Sequence, residues 1–176
     1  DGSRPERPHG RARYEPVATL LACGVAVAFV QIVGDVIAAA RYPGYHYAHQ
    51  TVSELSAIGA PTRSFQAGVG FMYEALVLAF AAGVWRMASG RRKIRITAAL
   101  LGVFALNAFV WGLFPMQQRG SVMAATDVAH IAGATVQVAT ITLFMGFGSG
   151  AGGRRFRVFS TALIVAILGA GALAGT

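Results

Sequence analysis

The residues best suited to chemistry in this chain are concentrated in one polar stretch, "HYAHQTVSELSAIGAP", which lies between two long apolar runs. Four of its side chains carry atoms suited to acid–base catalysis or metal binding: His46, His49, Ser53 and Glu54. The H-x-x-x-x-E spacing of His49 and Glu54 across a loop is a much weaker metal signature than H-E-x-x-H on a helix. The stretch therefore indicates a functional loop without identifying a reaction.

A second set of polar side chains lies inside the apolar runs, at Asp35, Glu74, Asn107, Asp127 and His130. At the helical rise of 1.5 Å per residue, they lie about 7–14 Å below the predicted outer surface. Charged groups cost roughly 2.5–3.5 kcal/mol each to insert, so such residues are expected to face the bundle, pair or line water. We predict an outward-facing polar pocket between the helices, with the polar stretch as its lid.

Several of these residues also fit purely structural roles. In "TVSE", Thr51 and Glu54 form a capping-box pattern that would use the Glu54 carboxylate to start a short helix. Asp127 and His130 are three residues apart and share a helix face, so they fit a buried pair that holds the helix in register. His46 lies among tyrosines, as interfacial anchoring residues do. Both interpretations of the set remain open from the sequence.

The elements that position these side chains are long apolar segments. The chain is 55% hydrophobic and 12% charged, about half the charged fraction of a soluble domain. Five apolar runs are each long enough to cross about 30 Å of hydrocarbon as a helix. We predict an all-α polytopic membrane bundle with a basic disordered tail at 1–14 and a transmembrane domain at 15–176. The predicted spans are 17–40, 65–85, 96–114, 122–147 and 158–176.

The basic residues predict the orientation of this bundle. Twelve Lys and Arg residues fall in the tail and in the connectors after the second and fourth spans, and three fall on the opposite side. The positive-inside rule places the N-terminus in the cytoplasm and the polar stretch outside, in a cell inner (plasma) membrane protein. The net charge of +8 is split into short clusters between apolar runs, which argues against nucleic acid as a partner.

Three stretches resemble a known family. "YPGYHYAHQTVSELSAIGAPTR", "GLFPMQQRG" and "DVAHIAGA", between Asp35 and Gly133, are similar to the bacterial and archaeal membrane family called domain of unknown function 998. The resemblance implies a six-helix bundle, of which five helices are predicted here, so we expect either a fragment or a sixth helix that is not represented. It implies no common activity. The "FPMQQRG" stretch lacks the acidic residue expected after the proline. A more distant similarity to Frag/DRAM/Sfk-type membrane proteins implies a role in lipid-anchor remodelling or membrane homeostasis.

Three functions fit the sequence. The first is a non-enzymatic binding or accessory subunit that holds a membrane lipid, a lipophilic molecule or another membrane subunit at the predicted pocket. The second is a metal-dependent lipid hydrolase of the outer leaflet, with zinc held by three or more of His49, Glu54, Asp127 and His130. The third is a proton-coupled transporter, which the lack of acidic residues in the inner half disfavours. Haem ligation by a histidine and the absence of any cofactor both stay open.

Overall fold

The protein is entirely α-helical over the residues that the structure, a computed structural model, describes, which are 11–174. Four of the helices, α1 to α4, are long and apolar enough over their described residues to cross a membrane. The fifth predicted span is also a helix, with its last two residues outside the described range. The predicted helical membrane bundle is confirmed. The helices are α1 Arg11–Arg41, α2 Arg63–Met87, α3 Arg92–Gly112, α4 Ala125–Ser149 and α5 Arg154–Ala174.

The helix ends differ from the predicted spans for two physical reasons. Helices α3 and α5 begin at Arg92 and Arg154, four residues before the apolar runs, because Arg and Lys favour helices and extend their charged ends to the interface. Helix α4 begins at Ala125, three residues later than predicted. Residues 11–14, which the sequence placed in the disordered tail, are the first turn of α1. The rest of that predicted tail lies outside the described residues.

The helices pack in the order in which they occur in the chain. Helix α1 packs on α2, α2 on α3, α3 on α4 and α4 on α5, and no other pair of these helices is in contact within residues 11–174. The arrangement is therefore an open array with α1 and α5 at its two edges. Large apolar side chains on the perimeter, such as Phe29, Phe71 and Val165, are mostly exposed in the isolated chain, as expected for surfaces that contact lipid.

Small residues allow the α1–α2 pair to approach closely. A Cβ atom at Gly83 would lie 2.9 Å from the Leu20 Cβ and 3.1 Å from backbone atoms of α1. A Cβ atom at Gly34 would lie 2.5 Å from Val69 on α2. Membrane helices associate mainly through such close packing, because lipid tails are as apolar as leucine and provide no hydrophobic drive. Glycine is therefore required at both positions by the packing distance.

The core lies between α2 and α3. Its buried members include Val77, Val84, Leu101 and Phe104, and side chains of α1 and α4 pack against it from both sides. The Phe104 and Phe144 rings meet edge to face, with centroids 5.8 Å apart, which joins this core to α4. The core therefore holds α1 to α4 together, whereas α5 contacts only α4.

Candidate functional site

Two loops meet at one end of the array. Loop 42–62 connects α1 to α2, loop 113–124 connects α3 to α4, and we call the two together the cap. The backbone N–H of Ile58 donates to the Met116 carbonyl over 2.9 Å, which joins the loops directly. Pro43 and Gly44 turn the chain after α1, with Gly44 at φ 78°, a conformation that favours glycine. The cap thus connects the α1–α2 pair to the α3–α4 pair.

The predicted short helix is present in the cap as a 3-10 helix at Val52–Ser56, and the predicted use of the Glu54 carboxylate at its start is confirmed. The Glu54 carboxylate accepts the Thr51 backbone N–H over 3.0 Å. It also accepts the Gln50 side-chain amide over 3.2 Å. The helix ends at Ser56, and its last turn is fixed by the Thr62 hydroxyl, which donates to the buried Leu55 carbonyl over 2.7 Å.

Glu54 also forms an ion pair across the two cap loops. Its Oε1 atom lies 2.7 Å from Nη2 of Arg119, and the Glu54 side chain is 6% exposed while that of Arg119 is 63% exposed. Burial by itself would raise the pKa of Glu54. The hydrogen bonds from the Thr51 backbone and from Arg119 outweigh that effect, and they hold the pKa of Glu54 below its ordinary value. The carboxylate is therefore ionised at neutral pH and fully engaged within the cap.

Asp127 stabilises the N-terminal end of α4 through hydrogen bonds to backbone N–H groups. Its Oδ1 accepts the backbone N–H of Gln117 over 2.7 Å, and its Oδ2 accepts that of Ala124 over 2.8 Å. Because α4 begins at Ala125, Asp127 lies in the first helical turn and shallower than the sequence predicted. Its carboxylate thus satisfies one backbone donor at the start of α4, that of Ala124, and one in the α3–α4 loop, that of Gln117.

His130 does not pair with Asp127 through a hydrogen bond. Its Nδ1 lies 2.9 Å from the Phe114 carbonyl, which fixes Nδ1 as the protonated nitrogen because a carbonyl can only accept. The imidazole also packs on Trp111, with ring centroids 4.8 Å apart. The predicted Asp127–His130 pair is thus replaced by two separate contacts to the α3–α4 loop, and both contacts fix the position of that loop on α4.

The intramembrane polar groups are divided between two helix pairs. Asp35 Oδ1 on α1 accepts the side-chain amides of Gln31 and Gln66, each over 2.9 Å, so it joins α1 to α2. Asn107 Nδ2 on α3 donates to the Gly133 carbonyl over 3.1 Å and to Gln137 Oε1 over 2.9 Å, so it joins α3 to α4. Each group is satisfied within its own pair of helices.

The remaining candidates lie apart from these groups. His46 and His49 are exposed in the cap, and Ser53 is half-buried in its 3-10 helix. Glu74 is half-buried on α2, about 12 Å along the helix axis from Gln66. Ligand binding by these four residues stays a prediction.

The metal set proposed from the sequence is not assembled. Across the described part of the chain, no three His, Cys, Asp or Glu side chains are grouped closely enough to hold a metal ion. The reason is visible at each carboxylate: Glu54 is engaged by Arg119 and Thr51, and Asp127 by backbone amides. The four residues that the sequence suggested as metal ligands, His49, Glu54, Asp127 and His130, are therefore not brought together in the described part of the chain.

A cleft of about 560 Å³ lies at the opposite end of the array, which we call the basic end. It is formed where the starts of α3 and α5 meet the last two turns of α4. None of the candidates from the sequence contributes to it. It is lined by Lys93, Thr142, Leu143, Gly146, Phe147, Ser149, Gly150 and Arg157.

The family comparison identifies the chain. A family model described as "Protein of unknown function (DUF998)" matches residues 25–176. The chain belongs to this family. The resemblance seen in the sequence is therefore confirmed. No curated protein and no solved structure matches it.

In this DUF998 protein, the three stretches that carried the resemblance converge in the cap. The first contributes Glu54, the second contributes Phe114 and Arg119, and the third contributes Asp127 and His130. The polar groups that the sequence suggested for catalysis or metal binding hold the loops together in the structure. The sequence analysis missed the three glutamines within the helices, Gln31, Gln66 and Gln137, because it considered mainly ionisable groups. One signal was available, because Gln31 and Asp35 are four residues apart on one helix face.

Proposed function

We propose that this DUF998 protein is a non-catalytic membrane protein that binds membrane lipid along its open helical array. The observation that carries the proposal is the order of packing: helices α1 to α5 contact only their chain neighbours within residues 11–174. An open array presents more lipid-facing surface than a closed bundle of the same helices. Lipid in the grooves of an open array can pack against helix surfaces that other helices would cover in a closed bundle.

The chemistry of the polar groups supports binding rather than catalysis. A catalytic carboxylate or histidine needs a free face toward its substrate. In the described chain, Glu54, Asp35 and Asp127 each accept two or more hydrogen bonds from protein donors. These residues instead fix the helix pairs and the cap, and a fixed frame is what a binding surface requires.

The orientation that we propose follows from charge. The basic end carries most of the cations, so it faces the cytoplasm, and the cap faces the other side of the inner membrane. The cap, with its exposed His46 and His49, then lies among the outer headgroups.

Native mass spectrometry of the protein released from mild detergent tests the proposal. We expect phospholipid to remain bound to the folded monomer after detergent has been removed in the gas phase. A folded monomer that is consistently free of lipid would refute lipid binding. A stoichiometric membrane polypeptide in place of lipid would instead identify the protein as an accessory subunit.

A further inference from the structure

The cleft at the basic end has the chemistry of a phospholipid site. Lys93 comes from the first turn of α3 and Arg157 from the first turn of α5, so two helices contribute one cation each. Leu143 and Phe147 of α4 supply the large apolar side chains of the lining. A site with cations at headgroup depth and an apolar wall below them matches one class of molecule, an anionic membrane lipid.

The α4 wall gives the cleft its depth. Gly146 and Gly150 are four residues apart, on one face of the helix, and neither has a side chain to fill the space. Lys93 lies across Gly150, with its Cδ 3.5 Å from the place where a Cβ at residue 150 would be. From Ser149 to Thr142 the lining extends about 10 Å along α4, which is enough for a phosphate, a glycerol and the first carbons of an acyl chain.

Two other cations at this end, Arg91 and Arg95, have partners within the protein. The Arg91 guanidinium donates to the carbonyls of Ala88 and Met87 and closes the end of α2. Arg95 lies over the ring of Trp85, with its Cζ 5.9 Å from the ring centroid. Lys93 and Arg157, in contrast, face the cleft.

The two cleft cations lack a counter-charge in the protein. Among the described residues the Arg119–Glu54 bridge is the only ion pair, and it lies in the cap. The Gly148 carbonyl near the end of α4 accepts a backbone N–H, that of Ala151, over 2.8 Å.

The cleft hydroxyls cannot replace the cations as donors. The Thr142 and Ser149 hydroxyls donate to carbonyls of their own helix, so they present only lone pairs. The hydrogen-bond donors that the cleft side chains offer a phosphate are therefore the ammonium and the guanidinium.

We propose that this cleft binds the headgroup phosphate of an anionic phospholipid between Lys93 and Arg157, with the upper acyl chain against Leu143 and Phe147. The inference rests on the proposed lipid-binding function and names its site and lipid class.

The test titrates purified protein in detergent with phosphatidylglycerol or with phosphatidylcholine of identical acyl chains, and native mass spectrometry counts the bound lipid. The charge variant is Lys93→Gln with Arg157→Gln. Its matched control is Arg92→Gln with Arg155→Gln, which removes the same charge from the first turns of the same two helices but leaves the cleft lining intact. High salt screens the long-range attraction between exposed cations and lipid headgroups, and it weakens close contacts within the cleft much less.

We expect the cleft charge variant to bind phosphatidylglycerol about 30-fold more weakly, which is about 2 kcal/mol at 1.4 kcal/mol per factor of ten, or roughly 1 kcal/mol per cation. Phosphatidylcholine binding and the control variant should stay within about threefold of the parent at high salt. Equal losses in the two charge variants would show general attraction to the basic end and would overturn the site.

A second variant fills the cleft without changing its charge. No atom lies within 4 Å of a Cβ placed at Gly146, so Gly146→Leu is accommodated by the fold and occupies the cleft. Gly169→Leu on α5 is equally open and serves as its control. We expect Gly146→Leu, but not Gly169→Leu, to lose binding of phosphatidylglycerol.

The outcomes separate the two proposals. Unchanged lipid binding in both the charge variant and Gly146→Leu would remove this site while leaving lipid binding by the protein intact. A folded parent protein that retains no lipid of either kind would remove the proposed function as well.

Discussion

Replacement of Glu54 by Gln tests whether the cap stabilises the array. The side chain keeps its size, but one of its two acceptor oxygens becomes an NH₂ donor. In the parent protein, Oε1 faces Arg119 at 2.7 Å and the Thr51 N–H at 3.0 Å, and Oε2 faces Gln50 at 3.2 Å. Since all three partners are donors, either orientation of the new amide places a donor against a donor.

The expected loss follows from the number and type of these bonds. A hydrogen bond to a charged group contributes about 1.5–3 kcal/mol. Glu54→Gln removes one such bond and weakens the others, so we expect the free energy of unfolding to fall by about 2–3 kcal/mol. Arg119→Gln should cost at most about 1 kcal/mol, because that side chain is 63% exposed and its ion pair is partly screened by water.

The assay is reversible unfolding in mild detergent micelles, followed by helical circular dichroism, at neutral and acidic pH. The folded-state pKa of Glu54 is depressed, so its carboxylate stabilises the fold above the unfolded-state value, about 4.3. That contribution is lost as the pH falls through the lower folded-state value. The parent and Glu54→Gln should therefore differ at pH 7 and converge once the pH has fallen below the lowered folded-state pKa of Glu54.

Two results would refute this reasoning. One is a Glu54→Gln protein as stable as the parent at pH 7, which would mean that the cap contributes nothing to the array. The other is an Arg119→Gln loss as large as that of Glu54→Gln. It would mean that the exposed ion pair, rather than the buried capping box, carries the stability.

Three further predictions follow from the packing and the charge distribution. Gly83→Ala should destabilise the protein by about 1–3 kcal/mol, because the new methyl meets the α1 backbone, whereas Gly68→Ala on the same helix has open space and should be neutral or slightly stabilising in thermal unfolding. Asn107→Leu should cost about 1–2 kcal/mol in the same assay, because it breaks two contacts between α3 and α4, and an unchanged melting temperature would contradict this. In a cysteine-free background, His49→Cys should react with a membrane-impermeant maleimide on intact cells and Arg155→Cys only after permeabilisation, whereas the reverse pattern would overturn the proposed orientation.

The sequence predicts the helices well because the membrane imposes a simple physical requirement. A run of about 20 apolar residues must form its own backbone hydrogen bonds in lipid, so each run becomes a helix. Hydropathy locates the apolar part of a helix but not its ends. Helices α3 and α5 extend through Arg92 and Arg154 at the interface, whereas α4 is delayed to Ala125, because Asp127 caps it from within its first turn.

The candidate site was only partly predictable, because the partners of its residues are distant in the chain. The "TVSE" pattern predicts the local bond between Thr51 and Glu54, since both belong to one turn. Nothing local predicts that Glu54 also binds Arg119, which is 65 residues away and reaches it only through the packing of two loops. The same holds for Asn107 and Gln137, which are 30 residues apart.

The two ends of the array differ in how their charges are compensated, and the difference favours lipid binding at the basic end. In the cap, carboxylates and donors satisfy one another, and the Glu54–Arg119 pair needs no external partner. At the basic end, Lys93 and Arg157 face a cleft without any carboxylate among the lining residues. Cations held near a low-dielectric layer are stabilised when an anion lies beside them. In a bilayer, lipid phosphates are the anions at that depth, and the anionic lipid that we propose for the cleft would neutralise both cations.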